Sequence, residues 1–295
     1  MQYSCKQEGN LLDILAILFP QSSKSTLRKM LTSGRITVDG EVCFRAKHEV
    51  VVGAKIEILD KVKAAEESPS PKAQYNGPAL DIIYEDEAIL VVLKPEGMLS
   101  IATNKLETDT LHSRCVDYVQ HSGARNWCHI VHRLDRDTSG VMVFAKNKEY
   151  KETLQLQFAE RSVHRTYHAL VEGRPDKNSG TVSSWLVEDK HLHVRKVSST
   201  FKGAKKAITH WDIEDSDDHV SLIHITIDTG KRHQIRMAMK DLGCPVVGDE
   251  IHESSANPLN RVCLHATSLE FLHPQSNDPV RFTSKVPFTG PESQR

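Results

Sequence analysis

The sequence predicts an α+β fold: a mixed, mostly antiparallel central sheet flanked by helices and loops, preceded by a small α/β module. Three observations carry that expectation. Short apolar runs bounded by turn residues recur along the chain, while few segments show apolar residues at helical spacing. Hairpins outnumber helices, which argues against a doubly wound parallel sheet. The 295 residues are also divided by a stretch rich in proline, serine and charge, which suggests two domains.

Residues 1–60 read as the small module. Leu11, Leu12, Leu15, Leu18 and Phe19 recur at helical spacing until Pro20 ends the helix. Ser23 through Thr26 reads as a second helix start, with Leu27, Met30 and Leu31 on one face and Gly34 at its end. Ile36, Val38 and the Asp39-Gly40 turn begin a hairpin, and Val50, Val51, Ile56 and Ile58 supply later strands. No acid lies between Asp13 and Asp39, whereas Lys24, Arg28, Lys29 and Arg35 do. Such a basic run is more often a solvated helix face than a phosphate site, so alone it decides nothing. Residues 61–78 read as a linker, from their Ser-Pro repeats and lack of periodicity.

The second domain spans 79–295. Ile82 to Leu93 reads as a hairpin ending in a buried strand, stopped by Lys94-Pro95-Glu96-Gly97. Leu111 to Val119 reads as a helix, and Asn147 caps another running to Arg161. Arg165 to Gly173 is an alternating strand carrying Tyr167. Hairpins follow, with Trp185 and Trp211 expected in the core and Glu214 to Asp218 as a solvated loop tip. Leu222 to Ile227 is a strand, and Lys231 to Arg236 leads into a helix that Gly243 stops. Arg261 to Phe271 reads as the last strand, with a loose tail from Pro287.

Composition narrows the class. The chain is 39% hydrophobic and has no apolar run long enough to span a bilayer. Its start lacks a signal-peptide layout, and its six cysteines form no CxxC pair, so buried thiols and a cytoplasmic location are expected. The formal net charge of -1 argues mildly against a nucleic-acid binder, although local segregation of charge outweighs the sum.

One stretch dominates the chemistry. His132-Arg133-Leu134-Asp135-Arg136-Asp137-Thr138-Ser139-Gly140 sets two carboxylates and two guanidiniums ahead of the apolar run Val141 to Ala145. Taken alone it would be a surface turn with solvated Asp–Arg pairs. It does not stand alone. Together with Lys94-Pro95-Glu96-Gly97, Arg165 to Gly173, and Thr229-Gly230 through His233-Gln234-Ile235-Arg236 to Gly248-Asp249, it resembles the RluA family of pseudouridine synthases, in order from residue 80 to 273. The first module, with Leu12-Asp13, Ser23-Lys24-Ser25 and Ser33 to Gly40, resembles the S-four-type RNA-binding domain, though Leu11 replaces the arginine common before Leu-Asp.

The resemblance implies isomerisation of uridine to its carbon-linked form within structured RNA, ribosomal RNA first and transfer RNA second. It implies Asp135 as nucleophile, Tyr167 stacking on the uracil and helping to remove the carbon-5 proton, and Arg236 pairing with Asp135. It implies Arg133 as the side chain filling the gap left by the everted nucleotide, and Lys24, Arg28, Lys29 and Arg35 as RNA contacts. His132, His233 and Asp137 are structural by the same reading. The residue types suit the reaction. Everting a base costs a few kcal/mol, and carboxylates stabilise charge on a sugar whose glycosidic bond is breaking. Asp135 would act at the anomeric carbon or on a neighbouring ribose proton. No metal or organic cofactor is required, and the chain is expected to act as a monomer.

Two rival readings are weaker. Cys115, Cys128, His129 and His132 fit no common zinc spacing. An RNA-binding protein with an inactive synthase domain predicts damage to the Asp, Tyr or Arg, and all three are intact.

Overall fold

The computed structural model describes residues 2–32, 35–43, 45–59, 77, 79–103, 107–121, 123, 126–189 and 193–290, with backbone alone for Ser25, Lys29 and Thr32. The expected helix stop at Gly34 and, apart from residues 77 and 79 on, the expected linker and its far boundary lie outside the described residues. The chain divides into two compact units, residues 1–77 with 116–127, and residues 78–115 with 128–295.

The first unit begins with β1 (Gln2–Ser4), β2 (Gly9–Asn10), α1 (Leu11–Leu18) and α2 (Lys24–Thr32). It continues with β3 (Ile36–Val38), β4 (Glu41–Val42), β5 (Glu49–Val50) and β6 (Lys55–Ile58). One sheet runs β1-β6-β3-β4, and β2 pairs with β5. The α1 helix stops at Phe19 ahead of Pro20, and the Ser23 hydroxyl accepts from the Thr26 amide at 3.1 Å to cap α2. The apolar faces of both helices meet the sheet through Leu11, Leu15, Leu27, Leu31, Ile36 and Ile56, all essentially without exposure. Each such side chain contributes about 1.5–3 kcal/mol of burial. Val51 departs from expectation: it follows β5 and is exposed, because the chain turns there before β6.

From residue 79 the elements are β7 (Asp81–Glu85), β8 (Ile89–Lys94), α3 (Leu111–His121), β9 (His129–Ile130), β10 (Ser139–Ala145), α4 (Lys148–Glu160) and β11 (His164–Glu172). Next come β12 (Ser179–Glu188), β13 (Val194–Val197), β14 (Lys205–Ser216), β15 (Val220–Ile227), α5 (Gln234–Asp241), β16 (Leu264–Leu272) and β17 (Pro279–Thr283). They build an eleven-stranded sheet in the order β13-β12-β14-β15-β11-β16-β10-β8-β7, with β17 on β16 and β9 on β10. Every pairing is antiparallel except β10 with β16, so the sheet is mixed and mostly antiparallel, as expected.

That parallel pairing depends on one glycine. Gly140 has φ 131°, and a Cβ there would lie 2.3 Å from the carbonyl oxygen of Ala266. Only glycine lets the two backbones approach, which places the preceding loop at the sheet edge. All seven residues of β10 are buried, packed with β8 and β16 and with Leu154 of α4. Asn147 caps α4 by accepting from the Tyr150 amide at 2.8 Å.

Three expectations need correction. The strand ending near Phe271 is not the last: β17 pairs back along β16, a short edge strand whose alternating exposed residues give a weak apolar signal, and the expected tail from Pro287 lies within the described residues only as far as Gly290. Trp185 is half-buried, because Ser184 and Leu186 take the inward positions of β12. Glu214 to Ser216 belong to β14, which carries a register shift between Ile213 and Asp215, so the turn begins only at Asp217. The six cysteines are all free and buried. Among the described residues no helix is long and apolar enough to cross a membrane.

Candidate active site

The loop from Val131 to Thr138 joins β9 to β10 and is pinned from below. Lys94 ends β8 fully buried, and its ammonium donates to the carbonyls of Pro95, Met98 and Arg136 at 2.7–2.9 Å. Burial holds its pKa down to about 8 against the pull of Asp137, Asp135 and Glu96. Ser100 binds both backbone groups of Leu134, donating to its carbonyl at 2.7 Å and accepting from its amide at 3.1 Å. With Leu134 buried, its neighbours Arg133 and Asp135 face outward into a cavity of about 920 Å³.

The facing wall is the turn into α5. Gln234 is buried and accepts from the Thr229 hydroxyl at 2.7 Å and the Lys231 amide at 3.0 Å, while donating to the Ile208 carbonyl at 2.8 Å. This clamp turns the chain through His233, whose φ of 52° aims its amide at Asp135 Oδ2, 3.3 Å away. Asp135 thus faces the amino end of a helix, where unpaired amides stabilise an anion.

Arg236 requires a correction. The expected pairing with Asp135 is not made. Nε and Nη2 of Arg236 instead donate to both oxygens of Asp249 at 2.6 and 2.5 Å, and Nη1 donates to His233 Nε2 at 3.3 Å. The reason is geometric: the left-handed turn brings the His233 backbone, not the Arg236 side chain, up to Asp135. Both partners of the Arg236–Asp249 pair are buried. Burial works against the guanidinium charge, but the hydrogen bonds and charge of Asp249, then the charges of Asp135 and Asp137, outweigh it and raise the pKa of Arg236. Arg236 therefore lies in the field of Asp135 without touching it.

Tyr167 is 7% exposed and lines the same cavity. The register of β11 against β16 shifts between Thr166 and Tyr167, with the extra residue, Thr267, on β16, so β11 keeps its alternation and presents Arg165 and Tyr167 on one face. Burial first, and the Asp135 charge last, raise its pKa against a lowering pull from Arg165, so the phenol keeps its proton at neutral pH.

The nearby histidines are neutral scaffolding. His132 accepts from the Val143 amide at 3.2 Å and stacks on Phe158 at 4.8 Å. His233 accepts from Arg236, so its Nδ1 carries the proton and donates to His252 Nε2 at 2.9 Å. His265 joins Ser139 and Ser284 at 2.7 Å each. Burial, aided by Arg165, Arg236 and Arg261 respectively, lowers His132 and His233 to about 3 and His265 to about 4. These folded-state values lie below the unfolded value of 6.5, so the unfolded chain takes up protons first. The stability they contribute is complete above about pH 6.5 and is lost as pH falls toward about 4 and 3. Thermal unfolding across pH should show the midpoint falling steadily below about pH 6.5, with an uptake from these side chains approaching three protons near pH 5. A midpoint constant from about pH 7 to about pH 4.5 would contradict this.

One cavity thus gathers Asp135, Tyr167, Arg236 and Arg133, drawn from three separate segments of the chain. In the first unit Lys24 is 66% exposed and lies 3.9 Å from Asp13, and Arg28 is exposed. Arg35 is half-buried and donates from Nε to the Leu59 carbonyl at 3.0 Å, a backbone tie that limits its reach. The Lys29 side chain lies outside the described residues. Sequence reasoning gave no role to Lys94, Gln234 or Asp249. Lys94 carried a signal, a charged residue closing an otherwise apolar strand ahead of proline; Gln234 and Asp249 stand in the matched stretches, but their contacts show only in three dimensions. Among the described residues no group of His, Cys, Asp or Glu is placed to hold a metal.

Comparison with known proteins agrees with this architecture. Residues 88–241 match the family model described as RNA pseudouridylate synthase, and residues 10–56 match that of the S4 domain. The chain is 30% identical to the RNA pseudouridine synthase YhcT of Bacillus subtilis, itself described as uncharacterized, over 96% of this chain and 91% of that one. It is 30% identical to the ribosomal large subunit pseudouridine synthase D of Neisseria meningitidis, over 95% and 76%. It is 34% identical to the dual-specificity RNA pseudouridine synthase RluA of Vibrio cholerae, over 69% and 83%. Among solved structures, the human RNA pseudouridylate synthase domain containing 1 superposes with a TM-score of 0.58 at 25% identity, covering 73% of this chain and 88% of that one. Sheet, cavity and matched models together define an RNA-modifying isomerase. The chain belongs to the RNA pseudouridine synthase family, which converts uridine to pseudouridine.

Proposed function

We propose that this enzyme isomerises uridines of ribosomal RNA, with transfer RNA the second candidate, and that Asp135 is its nucleophile. The observation that carries the assignment is the convergence of Asp135, Tyr167 and Arg236 on one cavity wide enough for a nucleoside. In this reading the uridine is everted into the cavity and its uracil stacks on Tyr167. Asp135 acts at the anomeric carbon or takes the adjacent ribose proton, and the bond from N1 to C1′ breaks. The uracil turns and C5 bonds to C1′, as the Asp135 oxygen leaves that carbon in the first route or the ribose proton is returned by Asp135 in the second; the carbon-5 proton then leaves and N1 regains a proton, so composition is unchanged. Tyr167 shields the detached base, and Arg133, exposed on the rim, fills the gap in the RNA. Arg236 acts through Asp249 and His233, holding the helix end that faces Asp135. The Neisseria relative, named for the large ribosomal subunit, supports the ribosomal preference.

We assign residues 1–60 to RNA binding, 61–78 to a linker and 79–295 to catalysis, in a protein acting as a cytoplasmic monomer. Release of tritium from RNA labelled at uridine carbon 5 tests the activity, and mapping pseudouridine in a strain lacking the gene identifies the RNA. No release from any total cellular RNA would reject the assignment. Substituting Lys24 and Arg28 together by Gln should weaken RNA binding and lower the slope of log affinity against log salt by about 1.4–1.8, the loss of two phosphate contacts. An unchanged slope would remove this helix from the RNA interface.

A further inference from the structure

The chemistry above uses none of four cations on the cavity wall, Arg161, Arg165, Lys205 and Lys231. Three other carboxylates of the cavity wall have partners outside the four, one of them, Arg232, on the same wall. Glu188 lies 3.7 Å from Arg232, Asp189 3.5 Å from His193, and Asp228 3.1 Å from His210. Among the described residues none of the four cations has a carboxylate within ion-pair distance. Like charges gathered on a concave wall repel one another, and a bound anion relieves that repulsion. Lys231 registers the crowding: burial first, then Lys205, Arg161 and Arg165, lower its pKa.

Two of the four are set in place by the backbone. Arg161 closes α4 in the left-handed conformation, φ 62° and ψ 27°. That position favours Gly or Asn, and another side chain there costs on the order of 1–2 kcal/mol. Stopping the helix does not by itself account for an arginine. Arg165 donates from Nη2 to the carbonyls of Ile227 and Asp228 at 3.3 and 3.4 Å, and lies over the Phe158 ring at 5.6 Å. Its Nε is buried without a hydrogen-bond partner. Gly230 keeps the space it occupies, since a Cβ there would lie 2.8 Å from Arg165 Nη1. Arg165 and Tyr167 are two residues apart on β11, so they share a face, roughly 7 Å apart along the strand.

A nucleotide everted onto Tyr167 brings its flanking phosphates with it. The base and ribose are neutral and suit the floor beside Asp135; the phosphates need donors on the wall. We propose that Arg161, Arg165, Lys205 and Lys231 form a phosphodiester-binding subsite that grips the RNA backbone beside the everted nucleotide. The proposal rests on the synthase reading above.

The test is equilibrium binding of a fluorescent oligouridylate of about eight nucleotides to the full-length protein, from about 50 to about 200 mM KCl. The Lys205→Ala/Lys231→Ala variant should bind about tenfold more weakly at the low-salt end, with the log–log salt slope reduced by about 1.4, the loss of two single-strand phosphate contacts. The Lys205→Arg/Lys231→Arg variant, which keeps the charge, should retain the wild-type slope. Lys148→Ala, removing an exposed lysine of α4 outside the cavity, should bind as wild type does. An unchanged slope in the alanine variant, or wild-type binding that ignores salt, overturns the subsite while tritium release by wild type leaves the synthase reading standing. Absence of tritium release by wild type overturns that reading itself, whatever the slopes.

Discussion

Asp135→Asn is expected to lower pseudouridine formation by on the order of 10⁴–10⁶-fold, the range seen when an enzyme loses its nucleophile. The substitution keeps the size of the side chain and an oxygen able to accept from the His233 amide, so the loop held by Lys94 and Ser100 should keep its shape. What disappears is the negative charge at the sugar as the glycosidic bond breaks. RNA affinity should stay near that of wild type, because the cations of the cavity wall and of α2 are untouched. The measurement is the initial rate of tritium release with enzyme in excess over RNA, alongside binding of the same RNA. Equal rates for wild type and variant would reject Asp135 as nucleophile.

Asp249→Ala should have the next largest effect, on both stability and rate. It leaves the Arg236 guanidinium buried without its two strongest hydrogen bonds. Removing one partner of a buried ion pair costs about 3–5 kcal/mol, because the remaining charge is stranded in a poor solvent. For a domain of this size that corresponds to a fall in melting temperature of about 6–20 °C. The rate should fall as well, since Arg236 also donates to His233, whose amide meets Asp135. A double variant separates the two effects. Arg236→Met/Asp249→Leu removes both charges, and its stability should exceed that of Asp249→Ala while its activity stays low. If Asp249→Ala melts with wild type, the pair does not organise the site.

The scaffold is legible in the sequence where local rules act. The apolar run of β8, the Ser23 and Asn147 caps and the Pro20 stop follow from spacing and cap chemistry alone, and each stands at its expected place. Asp135, Tyr167 and Arg236 were readable as motif members, because the motifs are linear. The contacts between motifs were not. Arg236 takes Asp249 rather than Asp135 because of a left-handed turn at His233, a residue type that does not announce positive φ. The bulge at Thr267, opposite Tyr167, depends on how β11 meets β16, and β17 on an edge that needs little apolar pattern. The cluster of Arg161, Arg165, Lys205 and Lys231 arises from separate segments with no common period. Gly140 is a mixed case: it sits in a recognisable turn, but its reason, the close approach of Ala266, is tertiary.

A crystal structure of Asp135→Asn bound to an RNA that the wild-type enzyme modifies tests the central claim most directly. The expected result is an everted uridine in the cavity, its uracil against Tyr167, its anomeric carbon beside the substituted side chain, and Arg236 still on Asp249. A target uridine stacked within the RNA, or lodged away from Tyr167 with residue 135 facing only solvent, would contradict it.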